Sequence, residues 1–486
     1  MAKRILALLM VMLMLVGMMA CNKEEEETPT GSESDVAGEA QTGDPSQDPY
    51  LLTLDSSLNF NGEEITILQR KAKQDEMYAE ELVGDIISDA IYTRNKAVEG
   101  KLGVRFKFQT ADGTNTTYEA ANGMAADLMN SLQAGIDGGY DLVSNYTAKA
   151  VALITKGAYL DFKDIPHVDM TRGWWDQDFI TTSTYKDKVY SLVGAANITT
   201  TEGMYVMFVN FDLAEDTLGE QDFYQQVFDG EWTYEEMMQC LSSMGDGSST
   251  GVYAMGLGNS SASVDGFLQS LNVKIVEKTP QGVPTVVMQD ELNSTILDSL
   301  KELYHRNKSV IYDGTSSFGG QKAFQEGRAM FYVERMSFAK TYLQDATFKY
   351  GILALPKWDE DSDYRVATHN EHSCFNVMKN LPTSKLQAVG AVAEYLTYES
   401  YKTVYPAVFE KAYKQRYTGG DPLAAQMFDF LVSHRAYDFG YLYHNSIGTP
   451  VYTFRNYVKD DLGDLTSSIN AGNFQTKLDE FIAYYN

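Results

Sequence analysis

The 486-residue chain is poor in cysteine, in tryptophan and in positive charge. Its three cysteines, at 21, 240 and 374, cannot build a disulfide framework. Cys240 and Cys374 are expected as two separate buried thiols, because free cysteine packs as a small hydrophobe. Lys and Arg number 39 against 67 Asp and Glu, a net charge of −28, and the basic residues form no cluster. A nucleic-acid partner is thereby excluded, since it would require Lys and Arg along a phosphate track. No Gly-x-Ser-x-Gly elbow, phosphate-binding Gly-x-x-x-x-Gly-Lys loop or zinc signature is present. Nor is there a repeat of roughly 20 to 50 residues, which excludes solenoids and propellers.

Long apolar runs are also scarce. Ile5 to Gly17 follows the basic pair Lys3-Arg4 and is uncharged, but it falls short of the about 20 residues that cross a bilayer. That pattern is a secretory signal. Ala20-Cys21 resembles the lipobox of bacterial lipoproteins, with Met18 and Met19 where that motif has Leu and a small residue. The resemblance implies an acylated Cys21 and an expected division at residues 1–21. From Asn22 the chain is Glu, Ser, Thr, Gly, Asp and Pro, too polar to bury a core. Residues 22–60 are expected as a disordered acidic linker, a leash of roughly 30 Å reach.

Beyond it, strands and helices alternate. Glu64–Gln69 (EITILQ) reads as a strand, Val83, Ile87, Ala90, Arg94 and Val98 share a helical face, and Val104, Phe106 and Phe108 alternate as a second strand. This is a βαβ unit, which implies parallel strands. Met124, Leu128 and Leu132 mark a helix before the strand Tyr140–Ser144. Val189–Gly194 and Met204–Phe211 read as further strands, and Thr233 with Glu236 forms a capping box. Leu292, Ile296, Leu300 and Leu303 form one apolar stripe. Arg328–Val333 and Lys349–Leu355 return to strand, and the chain is chiefly helical from Thr383. The folded part exceeds the ~250–300 residues at which a single core stops growing, so two α/β lobes are expected.

Asp141–Phe162, Ile165-Pro166, Trp174-Trp175 and Lys188–Ser191, with Gly327–Phe331 and Tyr350–Pro356 later, resemble the family 1 extracellular solute-binding proteins, receptors of ATP-driven importers. The clostridial-type sugar branch is the nearest likeness. The resemblance implies a two-lobe periplasmic-binding-protein-like (type II) fold with hinge strands and a helical C-terminal region. Lobe I is expected at 61–195 plus 328–380, and lobe II at 196–327 plus 381–486.

Ligands of open α/β sheets sit beyond the carboxyl ends of strands. That rule selects Gln69, Arg70, Asn145, Tyr146, Glu334 and Arg335. A sugar needs hydrogen-bonding groups at its edge and an apolar plate against its C–H face. Trp175, Trp232, Trp358 and Tyr443 are the further aromatic candidates, each with packing as its alternative. Thr199 to Glu202, with Thr201 and Glu202 foremost, follow the first passage between lobes. His369-Asn370-Glu371-His372 lacks the HExxH spacing, and the family comparison makes it a hinge or cleft wall rather than a metal site. Asp359, Asp361 and Asp363 begin like a calcium loop, but Tyr364 stands where that loop needs Gly, so a solvated turn is expected.

The resemblance implies a binding protein, not an enzyme, without cofactor or metal. Its expected role is a lipid-anchored monomer on the outer face of the cytoplasmic membrane of a Gram-positive bacterium, capturing a sugar or oligosaccharide for an ABC permease. A surface glycoside hydrolase or a carbohydrate-binding adhesin is the alternative. With 67 acidic residues some carboxylate pair is always available, so carboxylates alone do not favour hydrolysis.

Overall fold

In the strand Glu63–Arg70 (β1), Ile65 and Ile67 project from one face and Leu68 from the other, and all three are buried. A sheet covered on both faces is the arrangement that parallel strands require. The computed structural model, which describes residues 48–135, 139–258, 261–312, 318–414 and 421–485, shows that arrangement. β1 pairs in parallel with Val104–Ala111 (β2) and with Leu142–Tyr146 (β3). The expected crossover helix is Ile86–Leu102, capped by Asp85 and closed by Gly103 at φ +61°. Its buried face is Ile91, Arg94, Asn95, Val98 and Leu102, while Val83 and Ile86 remain exposed.

Ten further strands follow the first three among the described residues: Tyr205–Asn210 (β4), Tyr253–Leu257 (β5), Val276–Lys278 (β6), Pro284–Val286 (β7), Val310–Tyr312 (β8), Ala329–Arg335 (β9), Tyr350–Leu353 (β10), Val366–Ala367 (β11), Ser373–Val377 (β12) and Arg435–Ala436 (β13). The first sheet has the order β12-β3-β1-β2, with β12 antiparallel. The second has the order β10-β4-β9-β5-β8. Its strands β4 and β9 are buried along most of their length, as their apolar sequences require. Small ribbons β11-β13 and β6-β7 stand apart.

The chain leaves the first sheet after Tyr146, enters the second at Tyr205, and returns at Ser373. Helix Leu386–Glu399 then packs on Ile86–Leu102, and after it the chain passes to the second sheet again, where Pro422–Ser433 lies on β10. This corrects the expected division. Strands β9 and β10 belong to the second sheet, not to the first, because β9 pairs with β4 and β5. Helix Leu386–Glu399 belongs with the first, because its Val389, Val392 and Leu396 share a core with Ile65 and Val98.

Two other expectations change. Val189–Gly194 forms only isolated bridges, with Leu192 against Phe375. The linker ends sooner than residue 60: Leu52, Leu54, Leu58 and Phe60 pack against the first core, and Tyr50 stacks on Tyr401 with ring centroids 4.9 Å apart. Only half of the expected capping box forms: Thr233 Oγ1 accepts from Glu236 N at 3.2 Å, but Thr233 N donates to Glu231 O at 2.9 Å. Cys240 and Cys374 are free and buried, and burial raises both thiols to about 11. No helix among the described residues is long and apolar enough to cross a membrane. Cys21 and residues 22–47 lie outside the described residues.

Candidate functional site

Tyr146 ends β3 and Arg335 ends β9, so each stands at the carboxyl end of a strand, one from each sheet. Between them runs the return passage His369–His372. It is pinned on one side, where His369 N donates to Gly203 O at 2.8 Å, and on the other, where Thr147 N donates to His372 O and Ala148 N to Asn370 O, both at 3.1 Å. A cavity of about 200 Å³ opens at this junction. Its walls are Asn115, Tyr146, Arg335, His369, Asn370 and Glu371, with His444, Asn445, Tyr452 and Arg455 from the C-terminal segment. A smaller recess of about 40 Å³ shares Arg335, His369 and Glu371 and adds Lys73, Thr199 and Glu202.

Every arginine on the wall has a carboxylate partner. Arg335 Nε lies 3.1 Å from Glu334 Oε1 and its Nη1 3.8 Å from Glu371 Oε2. Arg455 grips the buried Asp265 through two nitrogens, Nε to Oδ1 at 2.6 Å. Paired charges leave a field with little net sign, which suits an uncharged ligand. Glu371 N donates to His369 Nδ1 at 3.2 Å, which fixes that nitrogen as an acceptor. Burial, and then Arg335 and Arg455, hold His369 well below the usual imidazole range. Burial likewise lowers His372 to about 4 and His444 to about 3. The imidazoles are therefore neutral, each a donor and an acceptor. His444 Nδ1 is buried with no partner among the described residues.

Two tyrosines line the cavity, Tyr146 buried and Tyr452 open to solvent. Tyr146 has the Arg70 guanidinium 5.0 Å from its ring centroid, and Tyr452 has that of Arg455 at 4.9 Å. Tyr452 is 41 % exposed, which leaves ring surface free for a ligand. Burial, and then the charge of Glu371, raise the Tyr146 hydroxyl, so it stays protonated.

The structure brings together Tyr146, Arg335, His369 and Asn370 on the cavity and Glu202 on the recess. Arg70 supports from beneath, donating to Glu371 O at 2.7 Å and Ser373 Oγ at 3.0 Å. Gln69 is buried at the end of β1 and Glu334 holds Arg335. Asn145, Trp232 and Tyr443 lie in the interior instead. Asn145 is consumed by Tyr118, Tyr159 and Asn376. Trp232 packs on Phe223 and Phe331, and Tyr443 donates to Ser183 O at 2.7 Å. Trp358 packs beside Tyr234. Trp175 and Thr201 face a different cavity. Asn115, His444, Asn445, Tyr452 and Arg455 were not anticipated. The clustering of His, Asn and aromatic residues at 443–455 is the one sequence feature that marks the last four.

Solved structures share this architecture at low identity. An ABC substrate-binding protein from Listeria monocytogenes in complex with cycloalternan matches with TM-score 0.54 at 13 % identity, over 87 % of this chain and 98 % of that one. The GacH receptor of Streptomyces glaucescens, solved unliganded and with acarbose, matches with TM-score 0.53 at 14 %, over 86 % and 98 %. A cyclo/maltodextrin-binding protein complexed with maltotetraose matches with TM-score 0.57 at 12 %, over 87 % and 97 %. These likenesses are of fold. No curated protein matches the chain. The model of the bacterial extracellular solute-binding protein family matches residues 105–403, well over half of the sequence. With two α/β sheets, a passage-lined cavity between their strand ends and that match, the chain belongs to the bacterial extracellular solute-binding proteins.

Proposed function

We propose that the cavity between Tyr146 and Tyr452 captures a neutral sugar, or one unit of an oligosaccharide, and that the protein delivers it unaltered to an ABC permease. The observation that carries this reading is the combination of two tyrosine rings with paired charges and neutral imidazoles on one wall. Sugar rings offer C–H faces to aromatic plates and hydroxyls to planar polar groups; the exposed Tyr452 ring answers to the first and the polar wall to the second. The sugar complexes of the structurally similar proteins agree with it. In this reading Cys21 carries the lipid that holds the protein at the outer face of the cytoplasmic membrane, and residues 22–48 are the leash. Lobe closure around the solute would be the signal to the permease, as hinge closure around ligands is a common transition.

The test is calorimetric titration with a panel of neutral mono- and oligosaccharides, followed by recovery of the sugar. Saturable heat with intact sugar is expected. A ligand at 100 times its dissociation constant should raise native stability by about 2.7 kcal/mol. Recovery of cleaved sugar would establish the hydrolase alternative instead.

A further inference from the structure

Behind the passages lies a second cavity, of about 230 Å³. The helical turn Thr199–Glu202 separates it from the recess described above: Thr199 and Glu202 face the recess, whereas Thr200 and Thr201 face this cavity. Its aromatic lining is Tyr50, Trp174, Trp175, Tyr401 and Tyr405.

The polar groups on these walls are incompletely used. Asn197 and Thr200 are 2 % and 3 % exposed, yet Asn197 Nδ2 and Thr200 Oγ1 have no hydrogen-bond partner among the described residues, and neither does Arg435 Nε. Buried polar groups are ordinarily paired, so three such atoms on one cavity point to something that pairs with them. Asn197 Oδ1 already accepts from Gly194 N at 3.0 Å, which leaves the amide NH2 as its free end. Asp176 is fully engaged by Phe179 N, Tyr437 Oη and Arg435 Nη2, the last at 2.6 Å, and it cancels the charge of Arg435. What remains is an uncharged field, mostly donors, lined by aromatic side chains. Its complement is a neutral molecule with acceptor oxygens and a flat C–H face. The volume is below the about 300 Å³ at which drug-sized pockets begin, so one ring fits.

We propose that this cavity is a second binding site, for a neutral ring-shaped polyhydroxyl molecule of single-sugar size. Thr200 lies on the first passage between the two sheets and Arg435 on β13, which pairs with β11 of the return passage, so an occupant touches segments that lobe closure must bend. Occupancy here and in the cleft are then linked, and each changes the affinity of the other by the same factor.

Two of the four tryptophans line this cavity and none lines the cleft, so intrinsic fluorescence reports on it. The full chain carrying Tyr452→Ala, in which the cleft is impaired, is titrated with glucose and with myo-inositol. A saturable fluorescence change is expected with at least one probe. In the same background Thr200→Val should weaken it at least fivefold while leaving the melting temperature level or higher, because it removes an unpartnered hydroxyl. Thr200→Ser, which keeps the hydroxyl, should bind as the parent does. Absence of a saturable change with both probes, loss of the change on introducing Tyr452→Ala, or unaltered binding by Thr200→Val would each overturn the proposal. Failure here leaves the cleft reading standing, since that reading is tested by heat and by cleft variants.

Discussion

Tyr146 Oη donates to Glu371 Oε1 across 3.3 Å, joining the last residue of β3 to the passage that leads back to β12. The bond holds the ring as one wall of the cleft, while Arg70 braces it from below. Tyr146→Phe keeps the plate and loses the bond, so sugar affinity should fall by less than tenfold, in line with a net hydrogen bond of about 1 kcal/mol. Tyr146→Ala loses the plate too and should cost more than tenfold. Because the residue is buried, Ala should also lower stability, by about 3 kcal/mol. Calorimetry and urea denaturation on the pair separate the two effects; equal affinities for Phe and Ala would remove Tyr146 from the sugar's path.

Glu371 sets the charge balance of the wall. In Glu371→Gln, Arg335 retains only Glu334, and the wall loses one negative charge. The ratio of glucuronate to glucose affinity should then rise fivefold or more, about 1 kcal/mol. Competition titrations with both sugars check it, and an unchanged ratio would mean that the solute does not meet this wall.

The parts of this cleft that a strand pattern can reach were legible, and the parts made by distant packing were not. Arg70, Tyr146 and Arg335 follow from the rule that ligands lie beyond strand ends, which needs only the local alternation of β1, β3 and β9. Tyr452 and Arg455 sit on helix Pro450–Lys459, and what brings them to the cleft is packing against Glu291–His305 and the buried Asp265. No local periodicity reveals those contacts. Trp232 failed for the same reason in reverse: its partners Phe223 and Phe331 include one a hundred residues away in sequence terms, and nothing beside Thr233 distinguishes a core tryptophan from an exposed one. The sheet membership of β9 was misread because the family resemblance placed the return to the first lobe before it, and the strand's own apolar run states that it is buried without stating between which neighbours.

Glu394 predicts a pH signature. Burial raises its carboxyl from the ordinary value of 4.5 to about 7, against the lowering effect of its bond from Trp175 Nε1 at 2.9 Å. Between those two values the folded state holds a proton that the unfolded chain has released. The group's contribution to stability is therefore complete below pH 4.5 and is lost as pH rises through 7. At most about 3 kcal/mol is involved. Glu394→Gln stays neutral and can still accept from Trp175, so it should match the parent near pH 5 and exceed it near pH 8. Urea denaturation at the two values measures this. A gap that does not widen with pH would show that Glu394 ionises normally.

The buried pair Asp265–Arg455 couples stability to binding. Arg455→Met strands the Asp265 carboxylate in the interior, which should cost about 3–5 kcal/mol. It also removes the guanidinium that lies 4.9 Å from the Tyr452 ring, so the aromatic plate loses its support and sugar affinity should fall with stability. Asp265→Leu combined with Arg455→Met exchanges the pair for apolar contacts. It should recover most of the stability, because no charge is left unpaired. It should not recover the affinity, because Tyr452 still lacks its brace. Denaturation and titration on the three variants resolve the two roles: recovery of both together would mean that Arg455 serves the fold alone, and recovery of stability without affinity would place it in the cleft as well.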